Sequence, residues 1–338
     1  MRSILLNALI QHGMTLPVVL FVLMGLLVYR SGSRLVHHAD TLAGASVLGR
    51  LWIGMLLLAA STSLPELITD VYSSALRTPN LGIGDLVGSS LANMSIMATL
   101  DLVYVRRRIF DDISREHIMV GALAILLAAI AGAAIASHGW RAIGGIDASS
   151  IVIVLLYLIG MRAVRAEQPA AAPPEQLPLG TTRHVVLRKA IVGFSLSAAA
   201  LALSAPVLVL AAEGISRTSG LGETFVGTVL VGLTTSLPEG VATFAAVRLG
   251  ATDLAVANLF GSNAFNMCIF LPMDLASPTG SVLVHAAAQN VVGLLLAIAA
   301  TALAVMRLLT PRGKTVGLWR PESLLILAAY GGAIWLLR

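Results

Sequence analysis

Two glutamates occupy positions where a carboxylate is costly. Glu66 and Glu239 each lie inside a long apolar stretch. Each closes the same pentapeptide, Thr-Ser-Leu-Pro-Glu, at 62–66 and 235–239. An acid at bilayer depth is normally found against a partner or a polar cavity. The proline before each glutamate has no N–H and blocks the helical bond to the carbonyl four residues back, which belongs to Ser61 or Thr234. Freed carbonyls then stand beside a carboxylate and the hydroxyls of Thr62, Ser63, Thr235 and Ser236. Such oxygen ligands suit a hard cation, Ca2+ or Na+, and not a soft metal.

A second polar set follows each pentapeptide. Gly88, Ser89 and Asn93 stand in Gly-Ser-Ser-Leu-Ala-Asn, and Gly261, Ser262 and Asn266 in Gly-Ser-Asn-Ala-Phe-Asn. Ser89 and Asn93 are four apart and share a helix face, as do Ser262 and Asn266. The glycines let helices approach closely. Both sets belong to one repeat. Residues 61–102 align with 234–275 without a gap at an offset of 173, with 15 of 42 positions identical.

These motifs need elements to carry them. Hydrophobic residues make up 57% of the 338 and charged residues only 12%. A soluble domain carries about a quarter charged residues, so the composition points to a membrane protein. Hydropathy predicts ten spans, near 15–36, 43–76, 81–104, 117–137, 144–164, 186–214, 219–247, 253–274, 281–306 and 321–337. The second and seventh are too long for one straight helix, and each has a proline in its middle. The fold class expected is an all-α membrane protein of about ten transmembrane helices in two inverted five-helix repeats. A polar Pro/Ala-rich linker, 166–183, separates a first half, 1–165, from a second, 184–338. Five spans separate equivalent helices, so the two copies of the repeat enter the membrane from opposite sides, as in many secondary transporters.

Basic residues orient the chain. On this map 17 of the 22 Lys and Arg fall on one side and 5 on the other. The positive-inside rule puts the 17 in the cytoplasm, Arg106 to Arg108 among them, and both termini outside. The first apolar run reads as a retained span and not a signal peptide. The +5 net charge serves orientation and not nucleic acid. The lone Cys268 forms no intrachain disulfide.

At this point the chain resembles the Ca2+/cation antiporter superfamily, which includes the sodium/calcium exchangers. Both Thr-Ser-Leu-Pro-Glu motifs and both Gly-Ser-x-x-x-Asn motifs are similar to its paired alpha repeats. The resemblance implies Glu66 and Glu239 as central carboxylates. It implies oxygens from Thr62, Ser63, Thr235 and Ser236, backbone carbonyls from Ala59 and Gly232, and completion of the site by Ser89, Asn93, Ser262 and Asn266. It also implies alternating access with a sliding two-helix bundle of the first and sixth spans.

The chain departs from that pattern at four places. Asn266 stands where exchangers often have Asp, which leaves two central carboxylates and weakens the case for three bound Na+. Ser90 replaces the usual Asn of the first repeat. Asp70, one turn past Glu66, is matched by Thr243 and is a possible auxiliary ligand, a relay or a polar residue of the outer mouth. Asp85 replaces an Asn kept as Asn258, and reads otherwise as a helix-start acid. Asp101 and Asp274 match across the repeats but fall near span ends.

The expected function is secondary active antiport, Ca2+ for Na+, with H+ coupling as the alternative. A passive channel and a transport-inactive scaffold rank below it. No enzyme activity and no cofactor are expected, only transported Ca2+ with Na+ or H+. Partners are the lipid bilayer and small cations, and the unit is a monomer. The location expected is a plasma membrane, here a bacterial inner membrane. No nucleotide motif supports an ATP-driven pump, and the histidines show no metal-ligand spacing.

Overall fold

In a computed structural model of the chain, the residues described are 13–44, 59–104, 116–166, 183–248, 252–309 and 320–337, with single positions 6, 9, 11, 113 and 250. The structure is helical. Its elements are α1 (Thr15–Gly44), α2 (Ala59–Thr62), α3 (Leu64–Ala75), α4 (Pro79–Val103), α5 (Glu116–Ala136), α6 (Ala148–Ala166), α7 (Arg183–Ser219), α8 (Glu223–Val226), a π-helical turn (Gly227–Val231), α9 (Gly232–Thr235), α10 (Leu237–Arg248), α11 (Thr252–Cys268), α12 (Phe270–Ala276), α13 (Ala288–Leu309) and α14 (Pro321–Leu336). Residues 45–58, most of the linker and Arg106 to Arg108 lie outside the described residues.

Six described helical runs are long and apolar enough to cross a membrane: Pro79–Val103, Glu116–Ala136, Ala148–Ala166, Glu223–Arg248, Thr252–Ala276 and Ala288–Leu309. Thr15–Ser31 and Pro321–Leu336 are shorter apolar stretches. Large apolar side chains such as Leu158, Ile159, Leu196, Leu203 and Trp335 stand on the outer surface. Water would penalise such a surface, and lipid would not.

Several boundaries differ from the sequence expectation: α1 runs on to Gly44 and not 36, α7 to Ser219 and not 214, and two helices start later. The ninth expected span starts at Ala288 and not at 281. The residues before it are held in turns, because Asp274 accepts the Val282 N–H (2.8 Å) and Asn80 accepts the Ala287 N–H (2.7 Å). The fifth starts at Ala148, after a small antiparallel ladder, β1 (Ala142–Ile143) with β2 (Ile146–Asp147). Gly144 and Gly145 turn that hairpin with φ of 59° and 89°, values that favour glycine.

The helices form two apolar bodies. α1 and α7 pack along each other, with Phe21, Val28, Leu201, Leu208 and Val209 in a cluster that also takes in Leu81, Val226 and Val231. The larger cluster joins α4, α5, α11, α13 and α14 through residues such as Leu86, Leu127, Phe260, Leu294 and Ile326. α4 is buried on all sides from Leu81 to Asn93, as expected for a helix at the centre of a bundle.

Both pentapeptides break their helices. α2 ends at Thr62 and α3 begins at Leu64, with Ser63 between them (φ −84°, ψ 9°). α9 ends at Thr235 and α10 begins at Leu237, with Ser236 between them (φ −81°, ψ 2°). Proline just after the break occupies the first turn of the following helix, where its missing N–H costs nothing.

Glycine decides how closely the halves meet. A Cβ on Gly88 would lie 2.1 Å from the Thr228 carbonyl oxygen, and one on Gly232 would lie 2.9 Å from the Gly88 Cα. α4 thus crosses the π turn and α9 backbone to backbone. Gly88→Ala is expected to destabilise the protein by about 1–3 kcal/mol through overpacking. Thermal unfolding in detergent measures this, and an unchanged midpoint would show that the crossing is not close-packed.

Candidate functional site

The two broken helices and the two glycine-bearing helices converge. Glu66, Glu239, Thr62, Ser63, Thr235, Ser236, Ser89, Ser262, Asn93 and Asn266 are all buried to 1% exposure or less. Ala59 and Gly232 are buried at the starts of α2 and α9. All twelve residues named from the sequence therefore lie in the interior.

Their hydrogen bonds cross between the repeats. The Ser63 hydroxyl donates to Glu239 Oε1 (3.3 Å), and the Ser236 hydroxyl donates to Glu66 Oε1 (3.3 Å). The Thr62 and Ser262 hydroxyls pair at 3.2 Å, and so do those of Thr235 and Ser89. Thr62 donates to Asn258 Oδ1 (3.3 Å), and Thr235 to Asp85 Oδ1 (2.8 Å). Each pair maps onto its mate by the 173-residue offset. The site is an approximate two-fold arrangement in which each half supplies the hydroxyls that bind the other half's glutamate.

The symmetry is incomplete. The Ser89 hydroxyl also lies within hydrogen-bond distance of Glu66 Oε1 (3.1 Å) and the Gly232 carbonyl (3.3 Å), which compete for its one proton. Asn93 donates to Asn263 Oδ1 (2.9 Å), and Asn263 donates to the Ser90 carbonyl (3.2 Å). Asn263 therefore links α4 to α11. It stands in the Gly-Ser-Asn motif but was not among the residues expected in the site. The Ala59 carbonyl accepts the Ser63 N–H (2.9 Å) and the Thr62 hydroxyl (3.1 Å). The Gly232 carbonyl likewise accepts the Ser236 N–H (3.2 Å). Both carbonyls lie beside the site and are engaged within it.

Asp85 changes the carboxylate count. It lies seven residues into α4, because that helix begins at Pro79. It is not a helix-start acid. It is fully buried and bonded to Thr235 and, at 3.3 Å, to Ser89. A further buried carboxylate, Asp85, therefore adjoins the two expected ones, Glu66 and Glu239. Asp70 is fully buried as well, not a mouth residue.

Several polar atoms in this region have no hydrogen-bond partner among the described residues. They are Glu66 Oε2, Glu239 Oε2, Asp85 Oδ2, both Asp70 carboxyl oxygens, Asn93 Oδ1, and both amide atoms of Asn266. A buried polar atom left unpaired costs about 1–3 kcal/mol, so this many together calls for a ligand that accepts electron density. Nearly all are oxygens, which fits a hard cation as the substrate. Among the described residues no three His, Cys, Asp or Glu side chains form a metal-holding group. The donor set here mixes carboxylate, hydroxyl and amide oxygens, as hard cations prefer.

Asp101 and Asp274, equivalent in the repeats, do other work. Asp101 accepts Arg307 (Nε, 3.2 Å; Nη2, 3.3 Å), Arg320 Nη1 and the Ser323 hydroxyl (2.8 Å). Asp274 accepts the N–H groups of Asp147 (3.0 Å) and Val282 and the Ser150 hydroxyl (2.8 Å). Each ties the end of its repeat to neighbouring helices, away from the glutamates.

Comparison with known proteins gives the family and the fold. The family described as sodium/calcium exchanger protein matches residues 16–164 and again 189–337. The second match starts and ends 173 residues after the first, the offset of the internal repeat. The inner membrane protein YrbG of Escherichia coli is 27% identical over 271 residues, covering 80% of this chain and 82% of its own. A structure of the sodium-calcium exchanger NCX_Mj superposes with a TM-score of 0.63 at 21% identity, covering 95% of this chain and 99% of that one. The H+/Ca2+ exchanger CAX superposes with a TM-score of 0.67 at 14% identity, covering 95% and 88%. This chain belongs to the sodium/calcium exchanger protein family.

Proposed function

We propose that this protein is a secondary active antiporter that exchanges Ca2+ for Na+ across a membrane by alternating access. The observation that carries the reading is the crossed pair of buried glutamates, each with one oxygen bonded and one unpartnered. A cation drawn between Glu66 and Glu239 would gain two carboxylates and the surrounding oxygens at once. Ser63, Ser236, Thr62, Thr235, Ser89, Ser262, Asn93 and Asn266 orient the carboxylates or add oxygens, with the Ala59 and Gly232 carbonyls beside them.

The reading takes the chain as ten spans in two inverted halves, 1–165 and 184–338, in a bacterial inner membrane with both termini outside. The α1–α7 pair has an apolar cluster largely its own. Sliding of that pair past the remaining helices would expose the site to one face and then the other. Two conformations of this kind, and not a continuous pore, distinguish exchange from a channel.

A second reading replaces Na+ with H+. Buried carboxylates can take up protons in place of Na+, and the fold is shared with the H+/Ca2+ exchanger CAX as well as with NCX_Mj. The test is uptake of radiolabelled Ca2+ into vesicles holding the purified chain, under an outward Na+ gradient, an outward H+ gradient, or neither. Uptake that requires Na+ supports the first reading, and uptake that requires only H+ supports the second. Equal uptake with no counter-ion gradient would make the protein a channel and overturn both.

A further inference from the structure

The two halves match at the crossed network but differ beside it. In the second half Asn258 donates to the Thr243 hydroxyl at 3.2 Å, a neutral pair that satisfies itself. The positions equivalent by the 173-residue offset are Asp85 and Asp70. Their carboxyl groups lie against each other. With both groups ionised each faces an acceptor, and among the described residues no donor reaches either Asp70 oxygen or Asp85 Oδ2. Both residues are wholly buried. Two adjoining carboxylates without a counter-charge are unfavourable, and no Lys or Arg bonds to either among the described residues.

Further oxygens adjoin Asp85. Asp85 Oδ1 is bonded to Thr235 and Ser89. The Thr228 hydroxyl, fully buried and unpartnered, belongs to the segment packed on Gly84 and Gly88, the residues flanking Asp85 on α4. A cavity of about 390 Å³ lies at the start of α4, lined by Asn80, Glu223, Ala287 and Leu337 among others. Asp85 is five residues further along the same helix than Asn80, roughly 7.5 Å of axial rise. The acidic pair thus lies on the side of the glutamates nearer that cavity.

We propose that Asp70 and Asp85 form a second cation subsite, for a hard divalent ion such as Ca2+, in the first half only. It rests on the cation-exchange reading, since it places a waiting position beside the central glutamates. Two carboxylates match the charge of one Ca2+, and their three unpartnered oxygens are hard ligands. The subsite makes the two halves unequal: a cation meets an acidic station on one side of the centre and a neutral one, Thr243 with Asn258, on the other.

Equilibrium binding of radiolabelled Ca2+ to the purified full chain tests this. The substitutions Asp70→Thr and Asp85→Asn together copy the second half's own pair, which already forms a hydrogen bond there. Wild type is expected to bind two Ca2+ per chain at saturation, and D70T/D85N one. The variant E66Q/E239Q is expected to keep one, and the fourfold variant none. The single variants D70T and D85N give the same count if the double variant folds poorly. An unchanged count in D70T/D85N, or no binding to E66Q/E239Q, overturns the subsite. An unchanged count in E66Q/E239Q instead overturns the central site, so the two failures are distinguishable.

Discussion

Glu66→Gln and Glu239→Gln are each expected to lower Ca2+ exchange at least about 100-fold, roughly 2.7 kcal/mol in the barrier. The physical basis is local. Glu66 Oε1 accepts from Ser89 and Ser236, and glutamine keeps an acceptor there, so the network that holds the side chain survives. The unpartnered Oε2 becomes an NH2 group that points donors where a cation requires an oxygen. Charge and ligand are lost together while shape is kept. The same substitution at Glu239 keeps the bond from Ser63. Because the arrangement is close to two-fold, the two variants are expected to fail to a similar degree. Vesicle flux measures the effect, with thermal unfolding to confirm that each variant folds. Exchange within about twofold of wild type in either variant would remove that glutamate from the site.

Asp101→Ala is expected to produce the largest loss of stability, about 3–5 kcal/mol. Asp101, Arg307 and Arg320 are all buried to 4% exposure or less. Removing the carboxylate takes away a bidentate partner of Arg307 and a partner of Arg320, and leaves both guanidiniums in a low-dielectric setting. Depriving a buried charge of a carboxylate partner costs more than the intact pair contributes. Asp274→Ala is the matched comparison. It removes an acceptor of two backbone N–H groups and one hydroxyl but strands no cation, so its effect should be smaller. Unfolding midpoints in detergent give the ordering, and an Asp274 variant less stable than the Asp101 variant would contradict it.

These two aspartates also show how far a repeat can be read. Their equivalence is visible in the alignment, and so is their distance from the pentapeptides. Their partners are not. Arg307 and Arg320 lie 206 and 219 residues from Asp101, and Ser150 lies 124 from Asp274. Identical residues in equivalent places came to hold charged partners in one half and neutral ones in the other.

The helix breaks were legible because proline acts on its own turn. The pentapeptides implied interruptions at 61–65 and 234–238, and the structure places them at Ser63 and Ser236. The starts of the fifth and ninth spans, α6 and α13, were not legible. There the chain is held by side chains from elsewhere, such as Asn80 on the Ala287 N–H, against an apolar pattern that suits a helix equally well.

The amino-acid sequence alone determined the apolar helical character and the duplication, and it named twelve residues that the fold buries. Each of these follows from local chemistry: hydropathy, proline geometry and the spacing of polar residues on one helix face. Only the tertiary structure decided that Ser63 bonds Glu239 and not its own neighbour Glu66, that Asp85 is buried against Thr235, that Asn263 joins the two halves and that Asp70 lies against Asp85. The reason is that periodicity shows which residues share a face but not which faces meet. The decisive bonds here join residues 146 to 200 apart. Their pairing depends on how closely two glycine-lined helices can cross.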